Sequence, residues 1–319
     1  MPFKPSKPAR LAPGAHVALL APSGPLLEDD DVRRGEALCR ALGWHPVVLP
    51  HATARHGYLA GTDDERLADL NSALRDPAID ALWCLRGGYG LTRILDRVDF
   101  AALRDRPKPV IGYSDVTALL CGAQAQAQVV AFHAPMARAP MPDFSRVAFE
   151  RILTDARPAG LLTAAPVPAG VLVPREPRVV TLHPGVAEGP LVGGNLALLA
   201  SLVGTPYLPS FDGALLVLED IGEAVYRIDR MLSQLHLAGL LDRIAGAVVG
   251  HFTDAPRHTP DGALGLGEVL QHHLGRRGIP VAHGMPIGHL DAQWTLPLGV
   301  PARFDADAGT LELLESAVA

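Results

Sequence analysis

Long apolar runs, basic clusters and cysteines are scarce in this sequence, and each scarcity removes a class of protein. No apolar run reaches the roughly 18 residues that a membrane-spanning helix needs. No Lys/Arg run is present, and 28 basic residues stand against 34 acidic ones, a net charge of -6. That leaves no electrostatic footprint for nucleic acid or an anionic membrane surface. The three cysteines, Cys39, Cys84 and Cys121, are odd in number and widely spaced, so neither a disulfide framework nor a zinc pattern emerges. Buried free thiols in a reducing cytoplasm are the expectation. His-Glu-x-x-His, Gly-x-Gly-x-x-Gly and Gly-Lys-Ser/Thr are all missing, so no metal and no cofactor is expected. Charged residues make up 19% of the chain, below the roughly 25% usual for soluble proteins. The apolar fraction of 48% nevertheless excludes disorder over most of the length. The basic N-terminus, Met1 to Pro8, is followed only by Val17–Ala21, too short for a signal-peptide core and better read as a first strand. Composition thus points to a soluble, cytoplasmic, compact chain.

At 319 residues the chain is comfortable for two domains. Its first half alternates strand and helix signals. Strands are expected at His16–Ala21, His45–Leu49, Ala81–Leu85, Val110–Gly112 and Val129–Phe132. Helices are expected from Asp31 with Leu38 and Leu42 facing inward, from a capping box at Thr62–Glu65 with Leu67, Leu70 and Leu74 inward, and over Leu91–Val98 and Val116–Gln126. Continuous apolar strands alternating with helices argue for a parallel sheet covered on both faces. From about Pro135 to Pro190 the pattern dissolves into Pro, Ala, Gly and Arg, leaving one strand candidate at Arg178–Leu182. It resumes with a helix from Gly193-Gly194-Asn195 to Leu202, strands at Ala214–Leu218, Ile244–Phe252 and Pro280–His283, a helix over Glu223–Leu237, and a closing hairpin over 302–314. The division expected is 1–150 as an N-terminal α/β domain, 151–185 as a linker, and 186–319 as a C-terminal α/β domain.

The segment Val110-Ile111-Gly112-Tyr113-Ser114-Asp115-Val116 has the form of a nucleophile elbow, a sharp strand-to-helix turn that lifts a hydroxyl from the sheet's carboxyl edge. Val116 stands where the second glycine of Gly-x-Ser-x-Gly would be, and a helix N-cap explains the same residues. The helix start offers free N–H groups, that of Asp115 first, to an oxyanion. Arg86-Gly87-Gly88-Tyr89-Gly90 also follows a strand, and its glycines allow close backbone approach or a tight turn. A serine needs a base, and among 13 histidines those following strands are His133, His251, His283 and His289. Glu219, closing a strong apolar strand, could hold a base in its working tautomer or simply end the strand. His272-His273 reads as a solvated helix face. Cys84 and Cys121 lie in element interiors and make poor nucleophiles.

Five motifs in order, Arg86-Gly87-Gly88-Tyr89-Gly90, Ile111-Gly112-Tyr113-Ser114-Asp115, Gly193-Gly194-Asn195-Leu196, Leu218-Glu219-Asp220 with Tyr226–Arg230, and Pro286-Ile287-Gly288-His289, resemble the LD-carboxypeptidase family of serine peptidases, which includes the microcin self-immunity peptidases. The resemblance runs from about residue 14 to 315. It implies a flavodoxin-like or amidotransferase-like parallel-sheet N-terminal domain, a smaller C-terminal α/β domain, and a homodimer. It implies a triad of Ser114, Glu219 and His289, with an oxyanion hole placed on the N–H groups of Gly88 and Asp115. The implied substrate is murein tetrapeptide, losing its terminal D-alanine without metal or organic cofactor. Arg86 is a candidate for the substrate carboxylate, or else a structural ion-pair member. Immunity-type relatives carry a tryptophan before the Gly-Gly-Asn motif to stack on a nucleobase. Val171–Glu188 has none, which disfavours aminoacyl-nucleotides. A non-catalytic binder of murein fragments is the competing expectation from another class.

Overall fold

The computed structural model describes residues 5–163, 179–255 and 263–319; positions 171–178 of the tryptophan-free stretch 171–188 therefore lie outside the described residues. In chain order the first half runs β1 (His16–Leu20), α1 (Asp31–Ala41), β2 (His45–Val48), α2 (Asp63–Arg75), β3 (Ala81–Cys84), α3 (Phe100–Asp105), β4 (Val110–Gly112), α4 (Thr117–Gly122) and β5 (Ala131–His133). Then come α5 (Asp143–Thr154), β6 (Gly160–Leu162), β7 (Val180–His183), β8 (Val186–Asn195), α6 (Leu196–Leu202), β9 (Leu215–Ile221) and α7 (Val225–Leu237). The chain closes with β10 (Gly246–Thr253), α8 (Leu266–His273), β11 (Val281–His283), β12 (Leu296–Leu298), β13 (Pro301–Asp305) and β14 (Thr310–Leu313).

The first sheet has the order β12-β5-β4-β3-β1-β2, with β1 to β5 all parallel. This is the doubly wound 2-1-3-4-5 arrangement, whose order reverses between β1 and β3 and opens a crevice at their carboxyl ends. Its strands are buried on both faces, as their continuous apolar runs require. The helices obey local rules. The Thr62 hydroxyl accepts from the Glu65 N–H at 3.2 Å while the Glu65 carboxylate accepts from the Thr62 N–H at 2.7 Å, the reciprocal cap that starts α2. Gly35 lets α1 lie on the sheet, since a Cβ there would sit 2.7 Å from Leu85 Cδ2.

The second sheet has the order β6-β14-β13-β8-β9-β10-β11-β7. Its centre, β8 to β11, is parallel, and antiparallel strands flank it. The whole is a mixed α/β structure built on two sheets. Late in the chain, β12 crosses to the first sheet and pairs antiparallel with β5. Among the described residues no helix is long and apolar enough to cross a membrane.

Four local expectations are corrected. Leu91–Val98 forms two short 3₁₀ turns, Leu91–Arg93 and Leu95–Arg97, not one helix. Its buried apolar residues pair as Leu91/Ile94 and Leu95/Val98, and a spacing of three suits the 3₁₀ period. The helix expected over Val116–Gln126 is α4, entered by a 3₁₀ turn at Ser114–Val116 and continued by a π turn at Ala123–Ala127. The stretch 135–190 is not patternless: α5 buries Ser145, Ala148, Phe149, Ile152 and Leu153, a helical stripe obscured by the prolines around it. His273 is not solvated. It is 5% exposed and its Nε2 meets Asp229 Oδ1 at 2.6 Å, because α8 packs against α7.

Candidate active site

β4 delivers the chain to Gly112, Tyr113 remains extended at φ -152, and Ser114 turns into the left-handed region at φ 61. For a residue with a side chain that backbone costs about 1–3 kcal/mol, the kind of strain an exposed nucleophile requires. No side chain caps the 3₁₀ turn or α4 that follows, so the Ser114 hydroxyl is not spent on a cap. Gly112 makes up for the glycine missing at 116. A Cβ on it would lie 2.9 Å from Val116 Cγ1, so its bareness is what lets Val116 pack inside the turn.

The glycine loop lies against this elbow, with a division of labour invisible in the sequence. A Cβ on Gly87 would come within 2.9 Å of Ser114 Cβ, 3.0 Å of Ser114 Oγ and 3.4 Å of the Asp115 nitrogen. Gly88, at φ 110, instead faces Gly24, where a Cβ would be 3.0 Å from Gly24 Cα. Gly87, which sequence reading passed over, is thus the glycine whose open face meets the hydroxyl. The Asp115 carboxylate accepts from the Leu91 N–H at 3.0 Å and ties loop to elbow. Burial pushes that carboxyl above its ordinary value, opposed by the Leu91 and Gly90 N–H groups. Gly87→Ala, whose backbone stays outside the positive-φ region but whose Cβ crowds Ser114 Cβ, should still fold, less stable by about 1–3 kcal/mol, and lose about 100-fold in kcat. That loss is the scale expected for a reacting group displaced by about 1 Å. Steady-state kinetics beside a melting curve checks it.

From the second sheet, β9 carries Glu219, fully buried, and the loop after β11 carries His289. His289 Nδ1–H donates to Glu219 Oε2 at 2.8 Å, which leaves Nε2 as the free nitrogen. Gly288 makes this approach possible: at φ 110, a Cβ there would lie 2.9 Å from Glu219 Oε2. The two halves meet through Tyr113, whose ring packs edge-on to His289 with centroids 4.8 Å apart. Among the described residues no hydrogen bond joins the Ser114 hydroxyl to His289. Burial first, and then the Glu219 charge, push the Tyr113 phenol up to about 12, so it stays protonated beside the imidazole.

The remaining candidates separate clearly. Arg86 hydrogen-bonds the Pro25 carbonyl, and burial lowers its pKa. His251 Nε2 lies 3.2 Å from the Gly284 carbonyl. His133 is wholly buried in β5 with neither ring nitrogen bonded, and burial pushes it down to about 4. Cys84 and Cys121 are buried and pushed up to about 12 by that burial, which disposes of a thiolate nucleophile.

A further set of residues positions the two halves. The Asn195 N–H donates to Thr117 Oγ1 at 3.1 Å, and Asn195 Nδ2 donates to Asp220 Oδ1 at 2.8 Å. The Ala197 N–H donates to Asp220 Oδ2 at 2.9 Å. Thr117 follows Ser114 by one helical turn and Asp220 adjoins Glu219, so this chain of bonds runs from the elbow to the carboxylate. The Gly-Gly-Asn motif was the signal for it. Burial raises Asp220 to about 6 against those donors, while burial lowers His133 to about 4. A raised carboxyl binds its proton more tightly folded than unfolded, so that stabilisation is complete below pH 4 and lost as pH rises through 6. A lowered imidazole acts oppositely, costing stability as pH falls from 6.5 through 4. His133→Gln should unmask the Asp220 limb. Its unfolding free energy should fall by on the order of 2 kcal/mol from pH 4 to pH 6, while wild type stays flatter, as urea titrations at the two pH values would show.

An α/β scaffold with an elbow serine on one sheet and a carboxylate-held imidazole on the other defines a serine hydrolase class. Residues 17–134 match the model of the LD-carboxypeptidase N-terminal domain, and residues 188–304 that of the LD-carboxypeptidase C-terminal domain. The chain belongs to the LD-carboxypeptidase family and is a serine-peptidase hydrolase. Similar proteins include a putative carboxypeptidase of Streptomyces coelicolor, 42% identical over 96% of each chain. The murein tetrapeptide carboxypeptidase of Pseudomonas aeruginosa is 36% identical over 90% of this chain and 92% of its own. Among solved structures, the muramoyltetrapeptide carboxypeptidase of Oxalobacter formigenes is 30% identical, with a TM-score of 0.79 over 94% of this chain and 98% of its own. The wild-type microcin self-immunity protein MccF is 26% identical, with a TM-score of 0.87 over 99% and 100%.

Proposed function

We propose that the protein is a carboxypeptidase that hydrolyses the LD-amide bond of murein tetrapeptide and releases its C-terminal D-alanine in cell-wall recycling. The observation that carries this reading is the His289–Glu219 hydrogen bond, set beside a strained serine elbow through Tyr113. In the reaction His289 Nε2 takes the Ser114 proton as Oγ attacks the scissile carbonyl carbon, and the carbonyl becomes an oxyanion. Glu219 stabilises the imidazolium without taking its proton. The Asp115 N–H and the glycine loop, Gly88 included, receive the oxyanion, each donor contributing roughly 2.7–4 kcal/mol. The imidazolium then protonates the leaving amine. Water, deprotonated by the same nitrogen, releases the acyl group and restores the serine. Arg86 is placed at the substrate's carboxylate end. The names of the Pseudomonas and Oxalobacter relatives support this substrate, and we place the enzyme in the cytoplasm as a homodimer.

The higher TM-score to MccF favours a second reading, cleavage of a modified peptide as in microcin immunity. Mass spectrometry of products separates the two. Incubated with murein tetrapeptide and with a peptidyl-nucleotide, the protein should convert the first to tripeptide plus free D-alanine. Turnover of the peptidyl-nucleotide alone would replace the proposal with the second reading, and turnover of neither would overturn both.

A further inference from the structure

Three guanidinium groups surround the turn after β1, yet only one carboxylate answers them. Arg86 bonds the Pro25 carbonyl, Arg55 Nη2 donates to the Leu26 carbonyl at 2.9 Å, and Arg138 Nη1 lies 3.4 Å from Asp31 Oδ1. Asp31 is fully buried and already occupied: its Oδ2 accepts from the Leu27 and Glu28 N–H groups at 3.0 and 3.2 Å, and Arg34 Nη1 is 3.7 Å from its Oδ1. Among the described residues neither Arg55 nor Arg86 has a carboxylate at ion-pair distance. The Arg138 side chain is 26% exposed, and its Nε is buried with no hydrogen-bond partner. Positive charges held partly out of water without matching negative charge are costly unless an anion joins them.

The backbone places this cluster at the reaction centre. After β5 the chain crosses the carboxyl edge of the first sheet, with the Ala134 N–H donating to the Gly112 carbonyl at 3.1 Å and the Ala137 N–H to the Cys84 carbonyl at 3.0 Å. Those carbonyls end β4 and β3, which lead directly to Tyr113-Ser114 and Leu85-Arg86. Arg138 follows at once, and its charge is felt by both Arg86 and the Tyr113 phenol.

We propose that Arg138, together with Arg86, clamps the free terminal carboxylate of the peptide and thereby confines cleavage to its last residue. The inference rests on the peptidase reading above and adds to it the group that distinguishes an exopeptidase. A guanidinium fork suits a carboxylate's two oxygens, and Asp31 orients the fork of Arg138.

The test compares murein tetrapeptide with the same peptide ended by a primary amide. Wild-type enzyme should prefer the acid by roughly 10- to 100-fold in kcat/KM, the range for a charge-assisted hydrogen bond. Arg138→Gln should lose about that factor on the acid, mainly through KM, and leave the amide nearly unchanged. Arg138→Lys keeps the charge beside Asp31 and guards against loss of the fold; it should recover part of the preference. Equal losses on acid and amide would make Arg138 merely structural and overturn the proposal, as would a wild type indifferent to the two. Calorimetry in a Ser114→Ala background separates this failure from that of the hydrolytic reading: Arg138→Gln should weaken acid binding and spare the amide, and unchanged acid binding overturns the clamp whatever the turnover.

Discussion

Ser114→Ala should abolish tetrapeptide hydrolysis, lowering kcat by about a million-fold, the scale seen when the serine of such a triad is removed. The fold should survive, because the hydroxyl caps no helix and no part of α4 depends on it. Ser114→Gly goes further. The residue sits at φ 61, where a side chain is strained and glycine is not, so this variant should be equally inactive yet more stable by about 1 kcal/mol. Inactivation joined to stabilisation is the signature of strain kept for function. Single-turnover assays and denaturant titrations measure the two parts. Residual turnover within tenfold of wild type in either variant would remove Ser114 from the nucleophile's role.

Glu219→Gln should lower kcat by about ten-thousand-fold with modest change in KM. The carboxylate is fully buried and accepts from His289 Nδ1–H at 2.8 Å. An amide in its place can turn its NH₂ toward the ring, which makes Nδ1 the acceptor and puts the proton on Nε2, the nitrogen proposed to take the serine proton. The variant also loses the charge that steadies the imidazolium. Gly288 leaves room for the isosteric side chain, so melting should move little. A loss under tenfold would mean that His289 acts without Glu219 and that the carboxylate serves only to hold the loop after β11 against β9, a strand that runs on past it to Ile221.

The two effects differ in kind, one removing the proposed nucleophile and the other the group proposed to hold the imidazole's proton, and the sequence prepared for them unequally. Gly112-Tyr113-Ser114 could be read locally because an elbow is a local object, one strand, one sharp turn and one helix. The partnership of Glu219 and His289 could not. Each was one polar residue at a strand end, and only the order of five motifs singled them out from 13 histidines and many carboxylates. Gly87 was passed over because three glycines in four positions look alike until one faces Ser114 and another faces Gly24. Arg138 gave no signal, since its meaning depends on an Asp31 more than one hundred residues away.

The same division applies to the fold. Apolar runs such as Val17–Leu20 and Leu215–Leu218, bounded by turn residues, read as buried strands, and Thr62 with Glu65 as a helix start. Periodicity and capping act within a few residues and are written in them. The composition of α5, by contrast, drowned its own stripe in neighbouring prolines, and nothing local sent β12 back to pair with β5. What the sequence by itself determined is the local grammar, meaning the parallel α/β alternation, the elbow and the supply of titratable groups. Tertiary structure alone decided which of those groups meet. Hydrogen bonds join residues far apart along the chain: His289–Glu219, at 2.8 Å, exists only once the loop after β11 has folded back on β9, and Asn195–Thr117, at 3.1 Å, only once the two sheets have packed.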